Sequence, residues 1–449
     1  MSGPERTTSA SARAHEDEEL TGKHWRWSAL SSLADYIDAG SIVAAGAGLA
    51  VWAKEFDLSP TTIGLLGALG PNAISCGIGA LIGGRLGDLF GRKRIYSLDL
   101  LVYMLGALLV VFANGAGMLF AGLIVMGLAV GADVPTSWSL IAEFTPQKAR
   151  GKMMGLTNVF WYIGPIVTLL LALVFSPLGL LGIRLLFVHL FVVAAITWWM
   201  RRGMIESPRY EAQEESDDAP EGHARDLFSP AHRKALLFVF TVFCLWNIPA
   251  GTYGFFLPFI LQNAGTASQA ASVAIQGLWF GSAILAVVFV FMRYGDRMNR
   301  RVLYVVTAAI QALAFWLFVF VSPTYLGWAI LNVVLFGIGQ GAGQWPLNRV
   351  WSVELFPTEV RNTAQGLIFG SMRLVLGVWS FFVPALLGCT TDAAGSLKGC
   401  TESGFHLMFL LLALMLTATG VLGAIWGPRT EGMSLEEIQE ARAADDLSV

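Results

Sequence analysis

Twelve separate stretches of this sequence are each long and apolar enough to cross a lipid bilayer. A membrane-spanning helix needs about 20 predominantly apolar residues. The sequence contains such stretches at 28–53, 61–83, 95–113, 117–142, 153–175, 180–200, 235–260, 268–292, 302–321, 326–352, 363–387 and 404–426. None of them shows the alternation of a membrane β-strand, and a backbone in lipid must satisfy its own hydrogen bonds. The sequence therefore predicts an all-α membrane protein with twelve transmembrane helices.

The distribution of lysine and arginine orients these helices. With the N-terminus placed inside, the inner segments hold 24 of the 29 Lys and Arg residues, and the outer loops hold only Lys54, Arg184 and Lys398. Cytoplasmic loops of membrane proteins are enriched in these two residue types. We therefore predict that both termini are cytoplasmic. The sequence has no Asn-x-Ser/Thr sequon, which favours a bacterial inner membrane.

Polar segments divide the chain into five parts. Residues 1–26 form an acidic tail that lacks the pattern of a cleaved signal peptide, and we expect it to be disordered. Residues 27–200 form a first bundle of six helices, and 201–234 form a cytoplasmic linker that includes the acidic stretch EAQEESDDAPEGHARD. Residues 235–426 form a second bundle of six. In the tail at 427–449, the sequence SLEE at 434–437 predicts a capping box and a short helix.

The four cysteines fall into two classes. Cys76 and Cys244 lie within apolar spans, where packing is the simplest role. Cys389 and Cys400 flank a polar loop that the predicted orientation places outside the cell membrane. In an oxidising compartment these two form a disulfide, and the other interpretation is a pair of free thiols.

Two charged motifs occur twice at nearly the same offset. Arg85, Asp88 and Arg92 in the stretch GGRLGDLFGRKRIY recur 208 residues later as Arg293, Asp296 and Arg300. Glu143, Pro146, Arg150 and Gly155 recur 211 residues later as Glu354, Pro357, Arg361 and Gly366. Two independent motifs with similar offsets indicate a duplication. The two six-helix bundles are therefore predicted to be parallel repeats.

At these motifs the sequence resembles the major facilitator superfamily, whose loop 2–3 signature is similar to GGRLGDLFGRKR. Three further features resemble its sugar porter branch: ESPRY at 206–210, the paired E-x-x-P-x-x-x-R stretches, and GPRTEGMSLEEI at 427–438. The stretches DYIDAGSIVAAG at 35–46 and GLAVGADVP at 127–135 look closest to bacterial inositol and polyol transporters. The resemblance implies transport by alternating access. The sequence has no phosphate loop, metal-ligand cluster or nucleophile constellation, so we expect neither an enzyme nor a cofactor.

The resemblance also implies that the repeated charges latch the two halves together on the cytoplasmic side. This gating network comprises Arg85, Asp88, Arg92, Glu143, Arg150, Asp296, Arg300, Glu354 and Arg361. Residues four apart pair on one helical turn, and an exposed pair of this kind is worth at most about 1 kcal/mol. The alternative is that these charges only orient the helices.

Four ionisable residues within the spans are candidates for proton coupling: Asp35, Asp38, Asp133 and Arg373. A charge at the bilayer centre costs at least about 2.5 kcal/mol, so it usually faces a cavity. The resemblance implies that Asp38 carries the proton. The arginine that the branch places in helix 4 is missing here, so either Arg373 is the partner or Asp133 is the proton site. A static buried ion pair is the third interpretation.

Amide and aromatic side chains within the spans predict a binding site for a neutral, hydroxyl-rich ligand. These residues are Asn158, Trp161, Trp246, Asn247, Tyr253, Gln276, Gln340, Gln344, Trp345 and Asn348. The paired helix 7 glutamines of hexose porters are absent from 241–258, which favours inositol or another polyol over glucose.

We therefore expect a monomeric proton symporter that imports a sugar or polyol across a lipid bilayer, with no nucleic-acid partner. An organic anion is the alternative substrate, because Arg349 and Arg373 lie within the spans and can bind a carboxylate. A nutrient sensor that does not transport is the third possibility, although the tails of about 26 and 23 residues are short for signalling.

Overall fold

The computed structural model describes residues 20–58, 60–202, 223–321, 324–391, 397–444 and 447. Most of the predicted N-terminal tail lies outside the described residues. So does most of the predicted linker, including the ESPRY motif.

The described residues of the first half form seven helices. They are α1 (Gly22–Glu55), α2 (Pro60–Leu69), α3 (Ile74–Phe90), α4 (Arg92–Val111), α5 (Ala116–Phe144), α6 (Arg150–Phe175) and α7 (Leu180–Arg201). Short 3₁₀ turns at Gln147–Ala149 and Ser176–Leu178 flank α6. Pro71 lies in the break between α2 and α3. Proline favours a break here because it cannot donate the backbone hydrogen bond that a continuous helix needs.

Within the residues that the structure describes, the second half forms nine helices and one small hairpin. The helices are α8 (Pro230–Asn263), α9 (Gln269–Ala286), α10 (Met292–Tyr294), α11 (Arg300–Phe320), α12 (Leu326–Gly339), α13 (Trp345–Glu354), α14 (Thr358–Leu386), α15 (Glu402–Trp426) and α16 (Leu435–Ala443). A 3₁₀ turn at Ala224–Phe228 precedes α8. Wider π-helical turns at Val287–Phe291 and Gln340–Gln344 join α9 to α10 and α12 to α13.

Eleven helical segments among the described residues are long and apolar enough to cross a membrane. They coincide with eleven of the twelve predicted spans. The 34-residue helix α1 occupies the remaining predicted span. The prediction of a twelve-helix membrane protein is thus confirmed in architecture. In the described part of the chain the structure adds two short strands and breaks the predicted span at 61–83 into α2 and α3.

Those strands, β1 (Thr390–Thr391) and β2 (Leu397–Gly399), pair antiparallel between α14 and α15. A disulfide joins Cys389 to Cys400 at the base of this hairpin. Cys76 and Cys244 are free and buried. The structure thus selects the bonded interpretation of the loop cysteines.

The connections at Gly91, 145–149, 295–299 and 355–357 all lie at one end of the bundle, which we call the charged end. The cysteine hairpin lies at the opposite end. Helix α16 packs against the charged end, where Gln439 donates to the carbonyl oxygen of Glu354 at 3.0 Å. The predicted capping box is present, since Ser434 Oγ accepts from the Glu437 amide and Glu437 accepts from the Ser434 amide.

Helices α3 and α14 bring the two halves into backbone contact. A Cβ atom added at Gly84 would lie 2.8 Å from Gly366 Cα, and one added at Gly77 would lie 2.9 Å from the Gly370 carbonyl oxygen. These distances are too short for any side chain other than a hydrogen. We call Gly77, Gly84, Gly366 and Gly370 the glycine seam.

Candidate functional site

A cavity of about 630 Å³, including space open to solvent, lies between the two halves. The first half contributes α1, α6 and the α2–α3 break, and the second half contributes α8, α9, α13, α14 and the Gln340–Gln344 turn. Polar, charged and large aromatic side chains line much of it: Asp38, Asn72, Trp161, Trp246, Asn247, Trp279, Phe280, Gln340, Trp345, Arg349, Phe369 and Arg373.

Three indole rings form one wall of the cavity. Trp161 from α6 meets Trp345 from α13 edge to face, with ring centroids 4.5 Å apart. Trp246 from α8 stacks on Trp345 at 5.4 Å. The wall therefore combines rings from both halves, and its flat faces suit the C–H surface of a saturated ring.

Amide groups supply directional hydrogen bonds to the same cavity. The Asn247 Nδ2 atom is buried and has no hydrogen-bond partner among the described residues. Gln340 Oε1 accepts from the Trp279 indole at 2.6 Å, which orients the Gln340 amide at the cavity surface. Buried donors without partners are costly, so a hydroxyl ligand at Asn247 would remove a penalty.

An ion pair between the halves borders the cavity. Arg373 on α14 lies 3.7 Å from Asp38 Oδ2 on α1, and both side chains are buried. The Trp161 indole also donates to Asp38 Oδ2 at 3.1 Å. Arg373 further donates to the Asn72 side-chain oxygen at 2.7 Å and to its carbonyl oxygen at 3.2 Å.

Asn72 is absent from the ligand residues predicted above, because a single amide in a Gly-Pro-Asn break gives no sign of its partner. The break itself is the signal that could have found it. A proline within a predicted span frees backbone groups, and irregular backbone at membrane depth is tolerated where it lines a cavity.

A second ion pair between the halves lies closer to the charged end than the first. Arg349 on α13 lies 2.8 Å from Asp35 Oδ1 on α1 and donates to Thr157 Oγ1 on α6 at 2.6 Å. Its guanidinium carbon lies 4.1 Å from the centre of the Trp138 ring and 4.5 Å from that of Trp345. Both members of the pair are almost completely buried.

Asp133 lies elsewhere than its sequence context suggests. It does not line the cavity, and it pairs with Arg201 at 3.5 Å, in a cluster that also holds Asp99 at 4.0 Å from Arg201. The three residues come from α5, α7 and α4, all in the first half. Arg201 is the last residue of α7, whereas the sequence predicts that it begins the linker, and this is why its partnership with Asp133 is not apparent from the spans.

Five of the ten predicted ligand residues line the cavity, and five do not. The five outside it are Asn158, Tyr253, Gln276, Gln344 and Asn348, all buried between helices. Tyr253 donates to Asn332 at 2.7 Å, and Gln276 donates to the Gly254 carbonyl oxygen at 2.8 Å. Buried polar groups in lipid must find such partners, and residue type alone does not distinguish packing from ligand contact.

The repeated charges form a network at the charged end. Glu143 on α5 accepts from Arg92 at 3.3 Å and from Arg361 of the other half at 2.8 Å. Arg92 also donates to the Thr358 carbonyl oxygen at 2.7 Å, which adds a second bond across the halves.

The second half repeats this arrangement with the roles exchanged. Glu354 accepts from Arg300 of its own half at 2.5 Å and from Arg150 of the first half at 3.2 Å. The 208- and 211-residue offsets therefore reappear as a pseudo-twofold relation between contacts. Each glutamate binds one arginine from each half.

Two aspartates complete the symmetry by capping helices of the opposite half. Asp88 accepts from the backbone amides of Asn362 and Thr363 at 3.2 and 2.6 Å, near the start of α14. Asp296 accepts from the amides of Gly151 and Lys152 at 2.8 Å, at the start of α6. Carboxylates are favoured at helix N-termini.

The aspartates also pair within their own halves, Asp88 with Arg92 at 3.1 Å and Asp296 with Arg300 at 3.3 Å. Burial raises the pKa of Asp296 above its usual value, and the Arg300 guanidinium opposes that rise. Arg85 is half-buried on α3, one turn before Asp88.

The structure corrects the expectation that the ion pairs of this network are exposed and weak. The value of at most about 1 kcal/mol applies to exposed pairs. Glu143, Glu354 and the four arginines that bind them have side chains that are at most 1% exposed. Removing one partner of a buried pair costs about 3–5 kcal/mol, because the other charge is left uncompensated.

Comparison with known proteins identifies a family model and several relatives that are similar to this chain. The model of the Major Facilitator Superfamily matches residues 29–380 of the chain. The minor myo-inositol transporter IolF of Bacillus subtilis is 39% identical over 418 residues, which cover 91% of this chain and 92% of that protein.

Two more distant matches also extend over most of the chain. The niacin transporter NiaP of Acinetobacter baylyi is 23% identical over 422 residues, covering 86% of this chain and 89% of that one. The structure of the proton:xylose symporter XylE bound to 6-bromo-6-deoxy-D-glucose superposes with a TM-score of 0.78 at 16% identity, covering 93% of this chain and 98% of XylE.

Proposed function

This chain belongs to the major facilitator superfamily, and from that premise we propose that it is a secondary active transporter that imports an inositol-like polyol or a sugar by proton symport through alternating access. The observation that carries the proposal is the cavity between the halves, which joins an indole wall to buried amides and a buried ion pair. The similarity to a myo-inositol transporter over nine-tenths of the chain supports the substrate class.

The chemistry of the cavity suits a polyol. Trp161, Trp246 and Trp345 offer flat apolar faces, and Asn247 and Gln340 offer amides at the same surface. A cyclic polyol has a ring of C–H bonds and several hydroxyl groups, each of which both donates and accepts. It can therefore stack on the indoles while it satisfies the Asn247 donor.

The ion pair beside the cavity supplies a means of coupling to protons. Asp38 belongs to the first half and Arg373 to the second, so tilting the halves changes their separation. A carboxylate beside a guanidinium is stable as an anion, and a buried carboxylate without one favours its protonated form. Asp38 would then bind and release a proton in step with the tilt.

We propose that the charged end is cytoplasmic and that the protein is a multi-pass monomer of a bacterial inner membrane, with both termini inside. The lysine and arginine distribution supports this orientation. The closed network at the charged end then corresponds to a state that is shut toward the cytoplasm. The substrate crosses unchanged, without a chemical step.

Uptake by purified protein in liposomes tests this function. With an inward proton gradient we expect labelled myo-inositol to accumulate above its external concentration and to be recovered chemically unchanged. A proton uncoupler should reduce the internal concentration to equilibrium. Equal uphill accumulation with and without a gradient would contradict proton coupling. A panel of unlabelled polyols and sugars, used as competitors, identifies the preferred substrate.

A second candidate function is the symport of an organic anion. Two arginines, Arg349 and Arg373, line the cavity, and one relative is a niacin transporter. However, each arginine is paired with an aspartate, so the four groups carry no net charge and leave no excess cation for a carboxylate. Competition separates the candidates: an organic-anion transporter loses uptake to nicotinate, and a polyol transporter loses it to unlabelled inositol.

A further inference from the structure

We propose that Asp35 and Arg349 form an inner gate, an ion pair between the halves that must separate each time the cavity opens toward the charged end. The proposal rests on alternating access as proposed above. It assigns to this pair a role different from that of Asp38 and Arg373, which both line the cavity. Arg349 also reaches the cavity, but its partner Asp35 does not line it.

The position of Arg349 along α13 is the first argument. Trp345 lines the cavity wall, Arg349 follows four residues later, and Glu354 of the charged network follows five residues after that. An α-helix rises about 1.5 Å per residue. Arg349 therefore lies about 6 Å below Trp345 and about 7.5 Å above the network.

Helix α6 shows the same order from the other half. Arg150 belongs to the charged network, Thr157 accepts the hydrogen bond from Arg349, and Trp161 lines the cavity four residues later. The contact between Thr157 and Arg349 thus lies at the same intermediate level on both helices. A ligand that leaves the cavity toward the charged end has to pass this level.

Helix α1 agrees with this order. Its N-terminal end lies at the charged end, because Lys152 of α6 lies over the Trp25 ring at 5.0 Å. Asp35 comes before Asp38 in the chain and is therefore about one turn closer to the charged end. Asp38 lines the cavity and Asp35 does not.

The contacts of Arg349 run almost entirely across the boundary between the halves. It contacts Asp35, Trp138 and Thr157, from three helices of the first half, and Trp345 from its own half. Subtracting the 211-residue offset from 349 gives 138, so Trp138 is the counterpart of Arg349 in the repeat. The two meet at the pseudo-twofold position between the halves, where a tilt that opens the charged end must part them.

Distance measurements between spin labels test the gate without any substrate. Labels at Arg94→Cys and Met298→Cys, in a background without Cys76 and Cys244, report the separation of the halves at the charged end. The gate variant Asp35→Asn with Arg349→Gln removes both charges and leaves neither one unpaired. We expect it to raise the fraction of long distances at least threefold over the parent protein.

A matched control is available within the first half. Asp133→Asn with Arg201→Gln disrupts a buried charge cluster that does not join the halves. Because this change also takes the arginine away from Asp99, it perturbs the first half at least as much as the gate variant does. We expect its distance distribution to equal that of the parent. A parental distribution in the gate variant, or equal shifts in both double variants, would overturn the proposal.

Milder variants keep the test decisive if the double variant does not fold. Thr157→Val removes one acceptor of Arg349, and Arg349→Lys keeps the charge but loses the planar fork. Both should shift the distribution in the same direction by a smaller amount, and unchanged distributions in both would overturn the gate. Because the samples contain no ligand, failure of inositol uptake or of proton coupling is a separate result.

Discussion

At the residue scale, the carboxylate of Asp38 is the group on which the proposed coupling depends. Replacing Asp38 by Asn removes the titrating group and keeps the side-chain shape. We expect uphill accumulation of labelled inositol in liposomes to be lost, while exchange of labelled for unlabelled inositol across the membrane is retained. Asp57→Asn, at an exposed carboxylate just beyond the end of α1, should accumulate normally. Normal accumulation by the Asp38 variant would place the proton site elsewhere.

The unpartnered amide of Asn247 leads to a second prediction at this scale. If it binds a ligand hydroxyl, Asn247→Ala should weaken inositol binding about three- to tenfold, which corresponds to one neutral hydrogen bond. Titration calorimetry on the purified protein measures this change. Asn158→Ala is the matched control, because Asn158 is buried outside the cavity and donates to the Met154 carbonyl oxygen of its own helix. Equal losses in both variants would argue against a direct contact.

Single residues of the site are predictable from the sequence where burial is expensive. An ionisable residue within an apolar span is rare, so Asp35, Asp38 and Arg373 stand out in the sequence alone. Neutral polar residues are not predictable in this way, because they can be buried between helices at little cost when they find hydrogen-bond partners. Tyr253 and Gln344 each find hydrogen-bond partners between helices of the second half. Their residue types are the same as those of a ligand site, and only the three-dimensional partner separates the two roles.

At the scale of single elements, Asp88 and Asp296 are predicted from the repeat as members of the charged network, and the structure adds that each caps a helix of the opposite half. Asp88→Asn keeps one oxygen for the amides at the start of α14 but loses the charge that pairs with Arg92. We expect turnover to fall severalfold in transport assays while the dissociation constant for inositol stays nearly unchanged, because the change weakens the latch and leaves the cavity intact.

The pseudo-symmetry provides the control for this prediction. Asp296→Asn should slow turnover in the same way, since Asp296 caps α6 as Asp88 caps α14. Arg94→Gln removes an exposed charge from the same connection and should not change turnover. If Arg94→Gln slowed transport as much as Asp88→Asn, the charges would act only by orienting the helices.

The repeated motifs predict which elements carry the latch, but not how deeply it is buried. The offsets of 208 and 211 residues identify the charged groups. The burial arises from packing of the halves and from the segment before α16, where Thr430 accepts from Arg300 at 2.7 Å. That segment is 130 residues from Arg300 in the chain, and contacts of this kind are not visible in local sequence patterns.

At the scale of the whole molecule, the proposed orientation is open to a direct test. Glu402 lies beside the cysteine hairpin with a highly exposed side chain, and Asp226 lies in the exposed turn before α8. With both native free cysteines removed, a membrane-impermeant maleimide added to intact cells should label Glu402→Cys and not Asp226→Cys. The reverse pattern would invert the proposed topology.

The glycine seam leads to a prediction about the motion of the two halves. A methyl group at Gly84 would lie 2.5 Å from the Asn362 carbonyl oxygen, so Gly84→Ala must push α3 and α14 apart. Overpacking of this kind typically costs about 1–3 kcal/mol. We expect uptake to fall at least tenfold with the protein still folded. Gly281→Ala, where the added methyl meets nothing within 4 Å, should transport normally.

The backbone contact along the glycine seam also affects which contacts limit the rate of the transport cycle. Bulky side chains between helices interdigitate and lose rotamer freedom, so one helix can slide over another only after they disengage. Gly77, Gly84, Gly366 and Gly370 add no such obstacle at their four positions. We therefore expect the charged contacts on either side of the seam to contribute much of the resistance to rocking. Single substitutions at those contacts should then change the rate of carrier reorientation.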